Sequence, residues 1–563
     1  MNVRLAAVSS PAGVALFKDP DTLERAIRCA NRFNQLNILD LCHLVRSWLK
    51  KGVNLNIAEP LVPACVEAVA TIGPPDNQLT LPSSARTLLE NSNKPIQTSR
   101  DSTFRDFISQ IVDENLRWET LGIFLAAASR AVLDTTAFVP LYDSEEQRMS
   151  LMRTLTHMCD SCLELCLALD CLNDLQLILQ YENFMVHTHV DGDQSYRSWR
   201  RVGDLTSSLF ALGLHEKIDE NTSIIPVFLA EMRRTCFARI YSLDKMIAIF
   251  LGRPPRVVKD YCYFQMPSGR FYTPRNDYYT HESTISVTPG SSDVSHDRGQ
   301  SGVEAISYTA EVRCCALFAL LKEEILQIFC SRPTRRNDDH TRNLRSRIEN
   351  QWDALPSHFK LGTRLRDCHS SAFGRDFLAS VRLDYLHTLL LLDIAGQNSM
   401  CELTSSTLKV AAQMLSLMVE VIVIRDHLVN SGTSLTWKVA LCGLPAAGIC
   451  SVALLGPQTH FQADGAPSFS QLIQDLNVLV VEIRLGAWIQ KGHPNFALFT
   501  QATQTIQSLL DAVMSRQLGT DTGSTQAAQF DFSTMPDSTV RFQPWEFEMD
   551  FWTSLEDQLK VYE

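Results

Sequence analysis

Residues 104–133 read FRDFISQIVDENLRWETLGIFLAAASRAVL. Apolar side chains recur in this stretch at three- and four-residue spacing, at Phe107, Ile108, Ile111, Leu116, Leu121, Phe124, Leu125 and Ala128. That spacing places them on one face of an amphipathic helix or of a pair of helices. Runs that alternate apolar and polar residues, as half-buried strands do, are short and isolated. The pattern therefore predicts an all-α, multi-helix bundle-like domain.

Cap and stop residues predict where single helices begin and end. We expect one helical stretch at about 146–187, rich in Leu, Met and Cys. Ser195 is the predicted N-cap of the next helix, and Gly213 is predicted to end that helix in a Schellman turn. A further helix is expected to open after Pro226 and to end at Gly252 and the two prolines behind it.

Residues 439–455 (VALCGLPAAGICSVALL) form an uncharged run. Its length approaches the roughly 17–25 residues that a membrane helix needs. Pro445 lies in the middle, between glycine and alanine residues. A buried helix that is broken or started near Pro445 fits this composition better than a membrane span. We therefore expect no membrane partner.

Composition divides the chain into segments with different expected roles. Residues 273–303 hold few aliphatic side chains and many Ser, Thr, Asp and Gly, which is typical of an exposed, flexible linker. The expected order is an N-terminal helical segment packing on the body at 1–100, a first helical half at 101–272, the linker at 273–303, a second helical half at 304–518 and an acidic-aromatic, largely disordered tail at 519–563.

Charge and cysteine usage limit the classes of function. A net charge of −12 has the wrong sign for a surface that neutralises nucleic-acid phosphates, so the body itself is not expected to clamp DNA. Sixteen cysteines occur without a secretory signal pattern in the first 18 residues, which favours a reducing compartment. Cys159, Cys162 and Cys166 follow helical spacing on an apolar stretch, with Cys171 behind them, and we expect small core residues there.

Several short motifs follow one another in a recognisable order. They are LRWETLG at 116–122, GDQSY at 192–196, WRRVG at 199–203, ALGLH at 211–215, RRTCF at 233–237, YSLDK at 241–245 and FLGRPP at 250–255, followed by Pro267. Together they resemble the fungal-specific transcription factor domain, also called the middle homology region, of binuclear zinc cluster regulators. The matching positions, expected to be structural or regulatory, are Trp118, Gly122, Trp199, Gly203, Gly213, His215, Arg234, Tyr241, Asp244, Gly252, Arg253 and Pro254.

The resemblance implies a nuclear regulator of transcription by RNA polymerase II that is not an enzyme. The family contacts DNA through a cluster of six cysteines that share two zinc ions, and no such spacing occurs in this chain. We expect DNA contact through a zinc cluster upstream of Met1 or through a partner protein, and no cofactor in this chain. The resemblance also implies coactivators, a small-molecule effector and dimerisation with itself or a related chain.

From the residues alone, Asp244 is expected to pair with Arg233, Arg234 or Arg253 near the end of its helix.

The end of the chain combines aromatic residues with carboxylates. Residues 530–563 carry eight acids and two bases, a net charge of −6. Such aromatic side chains are kept solvated by repulsion between the acids and can bind a groove on a partner. The candidate activation residues are Phe530, Phe532, Trp545, Phe547, Phe551, Trp552 and Leu555. A C-terminal helix that folds back on the body is the alternative interpretation.

Two other classes of function stay open. One is a helical module that binds a small apolar metabolite and has no transcriptional output. The other is a metal-dependent hydrolase, because His187, His189 and Asp191 follow the H-x-H-x-D pattern of a binuclear site. Gly192 stands where the next histidine of that pattern belongs, so we expect an inter-helix turn with a capping Asp191. No catalytic residue and no metal ligand is predicted.

Overall fold

The computed structural model describes residues 20–72, 82–192, 195–218, 224–268, 305–330, 338–396, 404–429, 434–455, 461, 467–486, 488–489 and 491–519. Within these ranges the chain is helical, and β-structure is limited to one isolated bridge between Phe138 and Tyr142. The prediction of an all-α protein is confirmed. The expected linker at 273–303 and residues 520–563 of the expected tail lie outside the described residues, as do all seven candidate activation residues.

The described helices are α1 Pro20–Phe33, α2 Ile38–Lys50, α3 Val62–Ile72, α4 Pro82–Asn93, α5 Phe104–Ile108, α6 Trp118–Asp134, α7 Glu145–Ala168, α8 Asp174–Val190, α9 Tyr196–Ala211 and α10 Val227–Leu251. They continue with α11 Tyr308–Cys330, α12 Asp338–Ala354, α13 Ala372–Gly396, α14 Ser405–Val423, α15 Leu435–Lys438, α16 Leu444–Leu455, α17 Phe469–Leu485 and α18 Phe496–Gly519. Short 3₁₀ turns join several of them, for example at Asp113–Asn115 and Lys259–Tyr261.

The chain divides into two compact units. The first consists of Met1–Asp191, Ser195–Tyr241 and Arg256–Arg313, and the second of Gly192–Gln194, Ser242–Pro255 and Cys314–Glu563. The division therefore falls inside α10 and α11.

Helix α6 is the centre of the first unit, and its residues from Trp118 to Val132 are buried. It packs against α2, α3, α7 and α8, which is possible because alanine and glycine occupy much of its surface. At Gly122 a Cβ atom would lie 2.7 Å from Cδ1 of Leu179 and 3.3 Å from Cβ of Cys162. The absence of a side chain at this motif position lets three helices approach closely.

A buried ion pair fixes the start of α6. Arg117 Nη2 lies 3.0 Å from Oε1 of Glu119, and both side chains are almost fully buried. Ser92 Oγ and Asn173 Nδ2 also donate to this carboxylate, at 2.7 and 3.0 Å. Burial raises the pKa of Glu119, but the Arg117 charge and these hydrogen bonds outweigh it and leave the pKa below its usual value. The ionised carboxylate thus joins the ends of α4 and α6 to the turn before α8.

The N-terminal helices pack on this core. Trp48 Nε1 on α2 donates to Oδ2 of Asp134 at the end of α6, over 2.9 Å. The backbone N–H groups of Ile57 and Ala58 donate to Oε1 of Glu182 on α8, at 2.7 and 2.9 Å. Helix α2 and the segment behind it are thereby tied to α6 and α8.

Two helical stretches of the sequence are each divided in the structure. The stretch at 104–133 forms α5, a 3₁₀ turn and α6, which is the helix pair that its spacing allowed. The prediction of a single helical stretch at 146–187 was wrong, because α7 ends at Ala168 and α8 begins at Asp174. Asn173 caps α8 by accepting from the N–H of Gln176. The apolar period runs on through both helices, so it does not reveal this break.

The predicted caps are confirmed. Ser195 Oγ accepts from the N–H of Ser198 at 3.1 Å at the start of α9. Gly213 has a φ of +70°. The N–H groups of Gly213 and Leu214 donate to Phe210 and Leu209, at 3.0 and 3.1 Å, which is a Schellman turn.

In the second unit the apolar run at 439–455 is internal. Two described helices are long and apolar enough to cross a membrane, Ser405–Val423 and Leu435–Leu455, and the second is almost entirely buried in the protein, over 94% of its most apolar stretch. The expected interruption near Pro445 is confirmed, because a π-helical turn occupies Val439–Gly443 and α16 starts behind it. Pro445 has no N–H to donate to a preceding carbonyl, and a widened turn accommodates its ring.

Replacement of Gly122 by valine tests the central packing. We expect Gly122→Val to lower the free energy of unfolding by about 1–3 kcal/mol, because its side chain enters space held by Leu179. Chemical denaturation followed by circular dichroism measures the loss. Gly396→Val is the control, since a Cβ there would meet no atom within 4 Å beyond its chain neighbours and the backbone of its own helix. Equal losses in the two variants would contradict the packing role.

Candidate functional site

The motif residues of α9, of the turn behind it and of the first half of α10 meet at the segment that follows FLGRPP. We call residues 256–268 the strap. It contains the 3₁₀ turn at Lys259–Tyr261 and otherwise runs without regular secondary structure.

At one end of the strap, Arg256 lies on the motif W-x-x-x-G of α9. Its guanidinium carbon is 3.5 Å from the centre of a Trp199 ring. Gly203 is one helical turn further, and a Cβ there would lie 3.4 Å from the guanidinium. Trp199 supplies the aromatic face, and Gly203 leaves the room that the planar cation needs.

Further along, the strap pairs with the turn that ends α9. The N–H of Tyr263 donates to the carbonyl of His215 at 2.7 Å. The side-chain amide of Gln265 accepts from the N–H of Ile218 at 2.8 Å and donates to its carbonyl at 3.0 Å. The Schellman turn at Gly213 directs the chain toward the strap, and the His215 ring packs edge-on against Phe210 at 5.0 Å.

The last part of the strap packs on α10. The ring of Phe264 meets Tyr241 and Phe237 edge-on, with centroids 5.0 and 5.2 Å apart. Tyr241 is fully buried. Glu231 accepts from the strap N–H of Ser268 at 2.7 Å and from Arg234 Nη1 at 2.5 Å. Motif residues from α9, from the turn behind it and from α10 are thus held by one segment.

The remaining motif residues lie elsewhere. Trp118 and Gly122 belong to the buried helix α6. In the second unit, Gly252 ends α10 with a φ of +60°, and the N–H of Arg253 donates to the carbonyl of Ala248 at 3.0 Å. Pro254 is exposed behind this stop.

Asp244 belongs to a buried ionic group of the second unit. Its Oδ2 is 2.9 Å from Nζ of Lys245, which also lies 3.1 Å from Oε2 of Glu323. Of the arginines that we expected as partners, Arg233 pairs with Asp174 at 2.7 Å and Arg234 with Glu231.

Only the last residue of the H-x-H-x-D pattern lies in the expected inter-helix turn, where Asp191 is the C-cap of α8. His187 and His189 lie in the last turn of α8, and Asp191 is the residue that follows it. His187 Nδ1 is 2.9 Å from Oδ2 of Asp191, and its Nε2 is 2.6 Å from Oδ1 of Asp160. Arg201 Nη1 donates to Oδ2 of Asp191 at 2.9 Å. His187 and Asp191 are four residues apart at the end of a helix, where such residues are neighbours. This pairing accounts for the spacing that resembled a metal motif.

The same cluster acts on the pKa of Asp160. Burial raises this pKa, but the hydrogen bond and charge of His187, with Asn183 and Arg201, outweigh it and leave the pKa below its usual value. Both ring nitrogens of His187 face carboxylates. Among the described residues, no group of three or more His, Cys, Asp or Glu side chains is placed to hold a metal ion.

The cysteines at helical spacing are core residues, as predicted. Cys159, Cys162 and Cys166 are buried on α7, and Cys171 behind it is half-buried. Burial raises the pKa of Cys159 to about 12, so its thiol stays protonated at neutral pH.

Several residues that organise this region were missed from the sequence. Arg256, Phe264 and Gln265 of the strap belong to no motif that we singled out. Arg117 and Glu119 lie in the motif LRWETLG but were not among its expected structural or regulatory positions. Arg256 directly follows FLGRPP, and the aromatic run YCYF at 261–264 precedes Pro267. These were the available signals, but neither states what the side chains contact.

The chain was compared with models of known protein families, with curated proteins and with solved structures, and it matches none of them.

A conservative substitution tests the stacking of the strap on α9. Arg256→Lys keeps the charge but removes the planar guanidinium, and we expect a loss of about 0.5–1 kcal/mol in the free energy of unfolding. Urea denaturation measures it. The control is Arg197→Lys on the exposed side of the same helix. If both variants lose the same small amount, the stacking does not stabilise the strap.

Glu182 gives the first unit a pH-dependent stability. Burial raises the pKa of Glu182 to about 6, from a usual value of 4.5, although the backbone N–H groups of residues 56–58 counteract this. The pKa of Glu182 is higher in the folded state than in the unfolded state. Its contribution to the free energy of unfolding is therefore complete below pH 4.5 and is lost as the pH rises to about 6. The loss amounts to about 2 kcal/mol.

Glu182→Gln removes the titrating group and keeps an oxygen that accepts from Ile57 and Ala58. We expect this variant to lose the decline in unfolding free energy between pH 4.5 and 6 that the unmodified protein shows. Urea denaturation at a series of pH values measures it. Glu182→Ala, which removes the acceptor, should be destabilised at every pH. An unchanged slope in Glu182→Gln would show that another group titrates.

Proposed function

We propose that this chain is the helical regulatory body of a fungal transcriptional regulator of the binuclear zinc cluster class, acting in the nucleus on RNA polymerase II transcription. The observation that carries the proposal is the convergence of separate motif stretches on one strap. Motif residues that are up to 42 positions apart in the sequence, from Trp199 to Tyr241, contact residues 256–268. Motifs that converge in this way belong to one structural module, which is what the resemblance requires.

The chemistry of the motif residues supports a regulatory scaffold over an enzyme. Their side chains are engaged in internal contacts: Trp199 with Arg256, Tyr241 with Phe264, and Asp244 with Lys245. A side chain in such a role holds neighbouring elements in register. We propose that the body transmits a signal between an effector or partner and the transcription machinery.

The proposal assigns DNA contact to another module. The chain carries a net charge of −12, which opposes binding to phosphates. A zinc cluster encoded upstream or a DNA-binding partner would supply the contact and hold the zinc ions. Coactivators would bind the aromatic and acidic residues at 530–563, because such segments form short helices on partner grooves.

A tethered reporter tests this function. The full chain, fused to a foreign DNA-binding domain, is expected to raise transcription of a reporter gene in yeast, and deletion of residues 530–563 to abolish the effect. Trp545→Ser/Phe551→Ser/Trp552→Ser should reduce the output several-fold, since aromatic side chains supply most of the buried area in such interfaces.

Ser533→Ala/Thr534→Ala is the matched control in the same segment and should leave the output unchanged. An inactive fusion, with and without residues 530–563, would contradict the proposal.

A module that binds a small molecule is the second candidate, and two buried oxygens favour it. Gln176 Oε1 and Gln180 Oε1, four residues apart on one side of α8, have no hydrogen-bond partner among the described residues. Buried polar atoms normally have partners, so a bound molecule with donor groups would satisfy them. Exclusion from the nucleus in localisation imaging, together with an inactive reporter, would favour this function over the first.

A further inference from the structure

Helix α17 buries one face and exposes apolar side chains on another. Leu472, Leu476, Leu479 and Ile483 are buried where it packs against α14 and α18. On the outer side, Val478, Val481 and Leu485 are exposed by 36, 50 and 78%. Their spacing of three and four residues places them in one row along the helix, which we call the outer row.

The outer row is too small for a separate partner. Stable interfaces between proteins bury about 1,200–2,000 Å² in total, and three aliphatic side chains supply a small part of that. A segment of the same chain needs much less area, because a tether raises its effective concentration to the order of millimolar. The size of the row therefore favours an occupant from this chain over a second copy.

The position of the chain end identifies that occupant. Helix α18 packs on α17 and ends at Gly519, so the residues that follow leave from the same group of helices. The 25 residues at 520–544 reach roughly 28 Å as a random chain. That is comparable with the length of α17, about 25 Å for its 17 residues.

The sequence at 545–562 has apolar residues at the spacing of one side of a helix, which could pack on the outer row. Trp545, Met549, Trp552, Leu555 and Leu559 follow one another at three- and four-residue steps, which brings them to one side of a helix. Glu546, Asp550 and Asp557 fall together on another side, while Glu548 and Glu556 lie among the apolar residues. Arg484 on α17 is exposed beside Leu485, where it is placed to attract these carboxylates.

We infer that residues 545–562 dock as a helix on the outer row of α17, with Trp545 and Trp552 covering Val478, Val481 and Leu485. The exposed valines and leucine gain an apolar cover, and the aromatic residues of the chain end become protected from solvent. The docked and free states of this segment decide which of its aromatic side chains other molecules can reach.

Hydrogen–deuterium exchange of the full chain, read by mass spectrometry, tests the docking. Peptides within 545–562 should exchange about tenfold more slowly than the same residues in a free synthetic peptide. Val481→Asp/Leu485→Asp should remove this protection. Both residues are exposed, so the fold is expected to persist, and circular dichroism confirms that. Val139→Asp, at a position that is 81% exposed in the first unit, is the control and should keep the protection.

Three results would overturn the inference. The first is exchange of 545–562 in the unmodified chain at the rate of the free peptide. The second is protection that persists in Val481→Asp/Leu485→Asp. The third is protection that falls on dilution, which would assign the row to a second copy. Amide exchange does not depend on transcription, so docking without reporter output leaves this inference standing, and output without docking leaves the proposed function standing.

Discussion

The buried carboxylate of Glu119 is the interaction on which the first unit depends. An ionised group without water is stable only when donors surround it, and here Arg117, Ser92 and Asn173 supply them. Each donor comes from a different part of the chain, so the charge fixes how the ends of α4 and α6 meet the turn before α8. The tight contact at Gly122, one turn later on α6, requires this alignment.

The strap depends on that core, because it crosses helices whose positions the core sets. Its contacts are of three kinds: a cation on an aromatic face at Trp199, backbone hydrogen bonds at His215, and ring packing at Tyr241. None of these kinds of contact is reactive. Their combination explains why residues as different as tryptophan, glycine, histidine and tyrosine occur in one set of motifs.

Local signals in the sequence were sufficient for the fold class and for both ends of α9. Ser195 and Gly213 were predictable because a cap depends on two or three neighbouring residues. The break between α7 and α8 was not, since both helices continue the same apolar period across Asn173. The partners of the motif residues were least predictable, because the contact of Arg256 with Trp199 spans 57 positions. An isolated motif does not state which distant side chain it meets.

The π-helical turn at Val439–Gly443 changes which side of the helix each residue of α16 faces. Such a turn holds one residue more than an α-turn, so it offsets the side chains behind it by about 100° around the axis. A helical wheel drawn through residues 435–455 without the offset assigns Cys450 and its neighbours to the wrong sides. Deletion of a single residue here would restore a regular helix and leave the buried surface of α16 facing the same neighbours, whereas closing the turn to a regular one without a deletion would rotate that surface by about 100°.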